Sequence, residues 1–158
     1  MRARRTLAAL LPVASIVAVL VLGAAPAYAY IYWTNFGSGG SGSTIGRASL
    51  DGTNVNESFI TGALAPVGIA VTGESVYWSN IDGAGCSGNT IGRASLTGLE
   101  PTDDFLTVEG CPHGLAVGNN YIYWADRTGT NIGRANVNGT EIDNSFITGA
   151  EGAHDVDQ

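Results

Sequence analysis

Short apolar runs, four to a unit, recur three times along the chain after residue 29. The most prominent run holds a tyrosine–tryptophan pair and recurs at residues 30–35, 76–80 and 121–126. An Ile-Gly-Arg-Ala run follows each copy, at residues 45–48, 91–94 and 132–135. These runs are rich in β-branched and aromatic residues, and Gly, Asn and Asp pairs separate many of them, as expected for strands joined by tight turns. No stretch of ten or more residues after residue 29 has the period of an amphipathic helix, so the pattern predicts an all-β chain.

The spacing of the runs is fixed except for one interval. The isoleucine of the Ile-Gly-Arg run lies 14 residues before a phenylalanine in all three units. Only the interval from the tryptophan to that isoleucine changes, being 12, 13 and 8 residues. Paired strands require fixed register, because a slip of one residue turns every side chain to the other face. Each unit therefore has one variable loop on a constant framework.

Four predicted strands make up each unit, and we letter them A to D from the inside of a presumed blade outward. Strand A spans 67–71 and 113–117, strand B is the Tyr-Trp run, strand C spans 44–50, 90–96 and 131–137, and strand D spans 58–61, 104–107 and 145–148. Repeats of 41–46 residues, each with four short antiparallel strands, predict β-propeller blades. The tryptophans of strand B are predicted to lie between blades, where they bury a large apolar face: Trp33, Trp78 and Trp124. The arginines of strand C recur with the blade, which predicts a structural role for Arg47, Arg93 and Arg134.

The phrases Tyr-Trp-Thr-Asn, Tyr-Trp-Ser-Asn and Tyr-Trp-Ala-Asp, with Ile-Gly-Arg-Ala and then Leu50-Asp51-Gly52, resemble the YWTD β-propeller repeats of the LDL-receptor class. The resemblance covers residues 30–158 and implies a six-bladed extracellular propeller that serves as a binding and structural module. Only Asp126 keeps the acidic fourth position of the repeat, since Asn35 and Asn80 replace it. The chain has no flanking cysteine-dense segment of the epidermal-growth-factor type, so receptor biology is not implied.

The repeats begin at a strand B and end with residues 153–158, which align with strand A and place His154 at the position of Val67 and His113. The chain therefore holds two full blades, one blade without its innermost strand and one spare innermost strand. This predicts an open arc, half of a six-bladed ring, whereas a closed propeller needs at least four blades. Three outcomes stay open: a homodimer in which each tail completes the first blade of the other copy, a piece of a longer propeller, or a stable open monomer.

Residues 1–29 have the features of a secretory signal peptide. A basic start precedes an apolar stretch at 7–22 and a small-x-small site at Ala27-Tyr28-Ala29, which predicts cleavage after Ala29. The alternative is an uncleaved membrane anchor, because the segment 7–25 is almost long enough to span a bilayer. Cleavage would yield a secreted or cell-envelope protein with no membrane partner.

Charge excludes one class of partner. All seven basic residues are arginines, and removing residues 1–29 removes three of them but none of the fourteen acidic residues, which takes the formal net charge from −7 to −10. Such an acidic chain repels phosphate backbones, so nucleic-acid binding is not expected.

The variable loop of each unit and the connector from strand D to the next strand A share one end of the blades, because strands alternate in direction. Variable loops on a rigid scaffold commonly carry binding sites, so this end is the predicted binding face for an unknown protein or small-molecule ligand. Its polar candidates are Asn80, Asp82, Asn89, His113, Arg127 and His154. Cys86 and Cys111 fall on the same face of one blade, which favours a disulfide closing 25 residues over two free thiols.

One enzymatic alternative competes with the binding module. Pro112-His113-Gly114 resembles the Pro-His-Gly phrase of streptogramin-lyase-like propellers, in which a histidine and a divalent metal promote an elimination. In that hypothesis His113 lies at the mouth of the axis with Glu109 nearby. The expected acidic metal ligands are not evident, so the favoured interpretation assigns no catalytic residue, no metal and no cofactor.

Overall fold

The computed structural model describes residues 29–83 and 85–158, so the predicted signal peptide, apart from Ala29, lies outside the described residues. The described part contains the strands β1 (Tyr30–Asn35), β2 (Thr44–Ser49), β3 (Asn56–Thr61), β4 (Pro66–Val71), β5 (Ser75–Asn80), β6 (Thr90–Ser95), β7 (Thr102–Thr107), β8 (Pro112–Val117), β9 (Tyr121–Asp126), β10 (Asn131–Asn136) and β11 (Asp143–Thr148). A single 3₁₀ turn, Ser38–Gly40, interrupts the loop after β1. Across these ranges the structure has no helix with the length and apolar character needed to cross a membrane.

The strands form three antiparallel sheets in which neighbours in sequence are neighbours in space. Blade 1 is β1-β2-β3, blade 2 is β4-β5-β6-β7, and blade 3 is β8-β9-β10-β11. The prediction of an all-β, partial β-propeller is confirmed: the described residues form two full blades and a first blade without an innermost strand.

Strand D begins two residues earlier than predicted in every blade. In blade 1, Ile45 pairs with Ile60, but Arg47 pairs with Asn56, so strand D carries two more residues than strand C over this interval. Equivalent shifts occur in the other two blades. Because the shift is an irregularity of pairing, hydrophobic alternation does not reveal it.

Residues 153–158 do not form the predicted strand A, although they occupy its place. The main-chain N–H of Gly114 in β8 donates to the carbonyl of His154 at 2.9 Å. A side chain at Gly114 would overlap this same carbonyl, just as one at Gly68 would overlap the carbonyl of His113. The tail therefore lies against β8 as β8 lies against β4, but in the described chain it has no strand B of its own blade with which to pair.

The hydrophobic core lies between blades. One buried cluster joins blade 1 to blade 2 and contains Ile45, Ile60, Ala63, Val76, Trp78 and Ala94. A second joins blade 2 to blade 3 and contains Tyr77, Ile91, Leu106, Val108, Leu115, Ile122, Trp124 and Ala135. Trp78 and Trp124 are fully buried in these clusters, while Trp33 in blade 1 is partly exposed.

Each tryptophan lies across the glycine of the Ile-Gly-Arg run in its own blade. The register pairs Trp33 with Gly46, Trp78 with Gly92 and Trp124 with Gly133. A methyl group at any of these glycines would overlap the indole ring, so the tryptophan and the glycine form one packing unit.

Each arginine of strand C stacks on aromatic rings of strands B and D. The Arg47 guanidinium lies 4.2 Å from the ring centre of Tyr30 and 3.9 Å from that of Phe59. Arg134 is held at 4.6 Å and 3.9 Å from the equivalent rings of Tyr121 and Phe146. In blade 2, Ser75 replaces the first tyrosine, and its Oγ accepts a hydrogen bond of 3.1 Å from Arg93 Nε instead. These contacts tie the outer strands of each blade together.

Candidate functional site

One end of the blades, which we call the loop face, consists of the B–C loops 36–43, 81–89 and 127–130 and the D–A connectors 62–65, 108–111 and 149–153. Main-chain hydrogen bonds join the two sets. Ala65 N donates to Gly42 O at 3.0 Å, Arg127 N to Cys111 O at 3.0 Å and Ala150 N to Thr130 O at 2.7 Å. The loop face is thus a built surface rather than a set of independent loops.

In blades 2 and 3, the second residue after the tryptophan of strand B binds the D–A connector that leads into the same blade. Asn80 Oδ1 accepts the N–H of Leu64 at 3.0 Å, and Asp126 Oδ1 accepts the N–H of Cys111 at the same distance. Burial opposes ionisation of Asp126, but the hydrogen bonds from Cys111 and Thr128 outweigh it and lower the pKa of the carboxyl group. Asn80 is fully buried, which is a correction to its predicted place among the ligand-contacting residues: its side chain supports the connector.

The predicted disulfide between Cys86 and Cys111 is present, with Cα atoms 5.8 Å apart. It ties the B–C loop of blade 2 to the connector that leads into blade 3. Cys111 is buried in a small cluster with Ala65 and Ile81, against which Phe36 and Val67 pack. The disulfide therefore belongs to an apolar layer directly beneath the loop face.

A cleft of about 320 Å³ opens at the mouth of the propeller axis on this face. Its lining comes from all three blades and the tail: Thr34, Phe36, Val67, Ile81, His113, Arg127 and His154. Three of the six polar residues predicted for the binding face, His113, Arg127 and His154, meet here. Their neighbours form an apolar wall, and none of the residues that line the cleft is acidic.

The two histidines contact each other at the rim. Their ring centres are 5.1 Å apart in an edge-to-face arrangement, and His113 Nδ1 lies 3.1 Å from the carbonyl oxygen of His154. Burial lowers the pKa of His113, and the nearby charges of His154 and Arg127 act in the same direction. Asp155 and the hydrogen bond to His154 act oppositely without reversing the shift. His113 is therefore a neutral imidazole at physiological pH.

The remaining predicted residues do not line the cleft. Asp82 is exposed in the second B–C loop, and Asn89 uses its side-chain amide to bind the carbonyl of Val108 at 3.0 Å. The main chain of Glu109 donates to Asn144 Oδ1 at 3.0 Å on β11, the outermost strand of blade 3, whereas His113 is on the innermost strand. Glu109 is thus not among the residues that line the cleft with His113. Within the ranges 29–83 and 85–158, no three His, Cys, Asp or Glu side chains cluster in a way that could hold a metal ion.

Thr34 also lines the cleft, although the sequence analysis does not predict it as a site residue. Its hydroxyl donates to the carbonyl of Val67 at 2.9 Å, which joins blade 1 to blade 2. Ser79 occupies the same position in blade 2 and donates to the carbonyl of His113 at 2.6 Å. In the sequence, the hydroxyl-bearing residue directly after the tryptophan is the feature that could have indicated this contact. Its hydrogen-bond partner lies in another blade and is seen only in the folded structure.

Two larger grooves, of about 430 and 420 Å³, lie toward the opposite end of blades 2 and 3. The first runs between the short A–B turns at 72–74 and 118–119, and the second follows strand C of blade 2. Both include Glu74, and neither contains a histidine. Their walls belong to fixed turns and strands, so they are weaker candidates than the cleft on the loop face.

No protein-family model matches the chain. No curated protein matches its sequence. Among solved structures, the chain is similar to one in the crystal structure of a nidogen/laminin complex, with a TM-score of 0.55 and 24% sequence identity over 75% of this chain. The match covers 45% of that other chain, so the present chain spans less than half of its length. This similarity supports the propeller fold.

Proposed function

We propose that the mature chain is an exported propeller of the YWTD type, that it acts as a non-catalytic binding and structural module, and that the axis-mouth cleft contacts its ligand. The observation that carries the proposal is the composition of that cleft. Residues from three blades and the tail converge on it, and the hydrogen-bonded loop face holds them in place. A scaffold that is ordered before binding loses little conformational entropy when a ligand arrives.

The lining indicates the chemistry of the ligand. Phe36, Val67 and Ile81 offer an apolar wall, while Arg127 supplies a permanent cation beside the two histidines. An apolar side chain next to a carboxylate fits this arrangement, because the guanidinium binds carboxylates with paired hydrogen bonds. We therefore favour a segment of a protein partner over a nucleic acid, since the acidic chain would repel phosphates along a whole strand.

Two further observations support the proposed extracytoplasmic location and the proposed protein partner. The Cys86–Cys111 disulfide is typical of oxidising, extracytoplasmic compartments, in agreement with the predicted signal peptide. The similar solved chain belongs to a nidogen/laminin complex, which gives a precedent for a related propeller in a protein assembly.

The elimination chemistry is the weaker candidate. Its support is the neutral imidazole of His113 at the axis mouth, which is a suitable proton acceptor. Against it, Glu109 is not among the residues that line the cleft, and the Arg127 cation in the cleft opposes a divalent metal. Calorimetry with magnesium or calcium separates the candidates, because saturable binding that His113→Ala abolishes would favour the lyase.

The binding proposal is tested with short peptides that carry an aromatic residue next to Asp or Glu, each matched to its Asn or Gln counterpart. Wild-type protein is expected to bind the acidic peptides more tightly than the amides, and Arg127→Gln to remove this preference. Asn119→Ala, at an exposed A–B turn on the opposite end, is the matched control and should retain it. Equal affinity for both peptide classes in the wild type would refute the proposed chemistry.

A further inference from the structure

Two sheet faces at the ends of the arc expose side chains that are buried elsewhere in the repeat. At the end of blade 3, Ile147 is 49% exposed, although the equivalent Ile60 and Leu106 are each 1% exposed. The trailing face of blade 3 consists of Tyr123, Ile132, Phe146 and Ile147, and the leading face of blade 1 consists of Ile31, Trp33, Ala48 and Leu50.

The leading face shows the same contrast. Ile31 is 47% exposed, whereas Val76 and Ile122, at the same position of strand B, are fully buried. Leu50 is 63% exposed at the start of the first C–D turn. Gly52 in that turn has open space above it, whereas the equivalent Gly98 is covered by the ring of Phe59 from the preceding blade.

The two faces are complementary position by position. In the first internal interface Ile60 packs in one cluster with Val76 and Trp78. In the second, Leu106 takes the place of Ile60, and Ile122 and Trp124 take the places of the other two. A third interface of the same kind would join Ile147 to Ile31 and Trp33, which the chain carries on its two opposite ends.

Half of this third interface is already formed. A cleft of about 290 Å³ on the trailing face is lined by Tyr123, Ile132, Phe146, Ile147 and tail residues 156–158. Val156 occupies the position of Ile69 and Leu115, which pack within the two internal interfaces. The tail therefore contributes to the trailing face what the innermost strand of a following blade contributes elsewhere.

The innermost strand is also what blade 1 lacks. In the described structure β1 is an edge strand, with β2 on one side only. In the complete blades, strand A pairs Ile69 with Trp78 and Val71 with Val76. By the same register, residues 153–158 of another copy would place Val156 opposite Trp33 and Gln158 opposite Ile31.

We propose that two copies of this chain associate end to end, each trailing face and tail docking on the leading face and β1 of the other. The occupant is a second copy because the chain itself supplies both halves of the interface, in the register that its internal interfaces use. Two such contacts related by a two-fold axis close a ring of six blades, and closure leaves neither face exposed. Association would also bring two axis-mouth clefts around one common axis.

Light scattering with size-exclusion chromatography on the protein produced from the full 158-residue sequence tests the proposal. The expected mass is that of a dimer. Ile147→Asp and Ile31→Asp, one on each face, should each weaken association at least tenfold, and both chains should stay folded because these side chains are exposed in the single chain. Leu99→Asp is the control, since Leu99 is 66% exposed on blade 2, which already has a blade on either side.

A folded wild-type monomer overturns the proposal, as does a dimer that neither face substitution weakens. An open series of larger oligomers overturns two-fold closure.

The proposed register between the tail of one copy and β1 of the other is tested separately by a cysteine pair, Ile31→Cys with Gln158→Cys. The equivalent Val71 and Val76 lie next to the hydrogen-bonded ends of their hairpin, where Thr72 N donates to Ser75 O at 2.9 Å, so their side chains face each other closely. Oxidation should yield a covalent dimer with the Cys86–Cys111 bond intact, and Leu99→Cys with Gln158→Cys should not. A link within one chain, or no link while the native disulfide forms, contradicts the proposed register.

Discussion

The glycine of the Ile-Gly-Arg run shows how a single residue type is fixed by its partner across the strands. Gly92 pairs with Trp78, whose indole ring occupies the space that any side chain on Gly92 would fill. The β-branched residues of this run predict a strand. Nothing in the run indicates that the glycine leaves space for the indole ring of the tryptophan. That relation depends on the register between strands B and C, which becomes visible only in the folded blade.

Replacing Gly92 by alanine is expected to lower the free energy of unfolding by about 1–3 kcal/mol, because the added methyl group forces the buried Trp78 ring to move. Urea titration followed by tryptophan fluorescence measures the change. Gly73→Ala is the matched control, since its Cβ would meet no atom within 4 Å, and this variant should be neutral or slightly more stable. Equal effects of the two substitutions would contradict the packing argument.

Burial of His113 predicts a pH dependence of stability. Its pKa in the folded chain is below the usual value of about 6.5, so between these two values the unfolded chain binds more protons than the folded chain. The free energy of unfolding contributed by this group is therefore complete above about pH 6.5 and falls as the pH drops toward the folded pKa. Arg127, His154 and Asp155 are the charged or titratable groups that act on it.

Denaturation midpoints at pH 7.5 and pH 5 test this expectation. Wild-type protein should lose more stability over the interval than His113→Asn, whose amide can still donate a hydrogen bond to the His154 carbonyl. All other acidic and basic residues are the same in the two proteins, so a difference between their pH slopes arises from the substitution at His113. Identical pH slopes would show that the environment of His113 does not disfavour its protonated form.

Residue types alone could not separate supporting from ligand-facing polar groups on the loop face. Asn80 and Arg127 both follow or end a strand B and have similar local sequence signals. The structure buries Asn80 beneath the connector at 62–65 and leaves Arg127 exposed at the cleft. The difference arises from main-chain groups of the connector that need a hydrogen-bond partner, and these are distant in sequence.

At the scale of strands, a hydroxyl group couples neighbouring blades. Ser79 Oγ accepts the N–H of Gly68 at 2.8 Å and donates to the carbonyl of His113 at 2.6 Å, so it connects innermost strands β4 and β8. Ala125 has no hydroxyl at the equivalent position of blade 3, and there Gly114 N donates directly to the carbonyl of His154. The buried main-chain groups of neighbouring innermost strands are thus paired in two ways, through a serine hydroxyl at Ser79 and directly at Gly114.

Ser79→Ala is expected to cost about 1–3 kcal/mol of unfolding free energy, because it removes the partners of a main-chain donor and a main-chain acceptor in a buried place. Ser87→Ala removes an exposed hydroxyl that donates to the carbonyl of Asp82, and should change stability by less than about 0.5 kcal/mol. Both values come from urea titration. A neutral Ser79→Ala variant would indicate that the strands move together as they do around Ala125.

The elements that were predicted well are those whose periodicity is local. Strands B and C agree with their predicted ranges to within one residue, because their repeats carry aromatic, glycine and arginine markers in fixed order. The predicted strand D begins two residues too late, because the first residues of the strand pair through an irregular register. Alignment alone predicts a strand for the tail at 153–158, and the tail lacks that structure because the described residues offer it no strand B with which to pair along its length.

For the whole molecule, the position of the core has an energetic consequence. The two buried clusters lie between blades, so a blade is stabilised mainly by its neighbours. An end blade in an open arc has a neighbour on one side only, and its apolar face contributes nothing until it is covered. If a second copy covers both ends, folding and association become parts of one equilibrium, and stability depends on protein concentration.

The midpoint of thermal unfolding should therefore rise with concentration. Each tenfold increase adds about 1.4 kcal/mol to the stability of a dimer relative to two unfolded chains, which corresponds to roughly 2–3 °C when two chains of this size unfold together. Differential scanning calorimetry over a hundredfold range of concentration measures the shift. Ile147→Asp should abolish it and lower the midpoint at high concentration, while Leu99→Asp should follow the wild type. A wild-type midpoint independent of concentration would mean that the exposed faces of the arc remain uncovered in the folded protein.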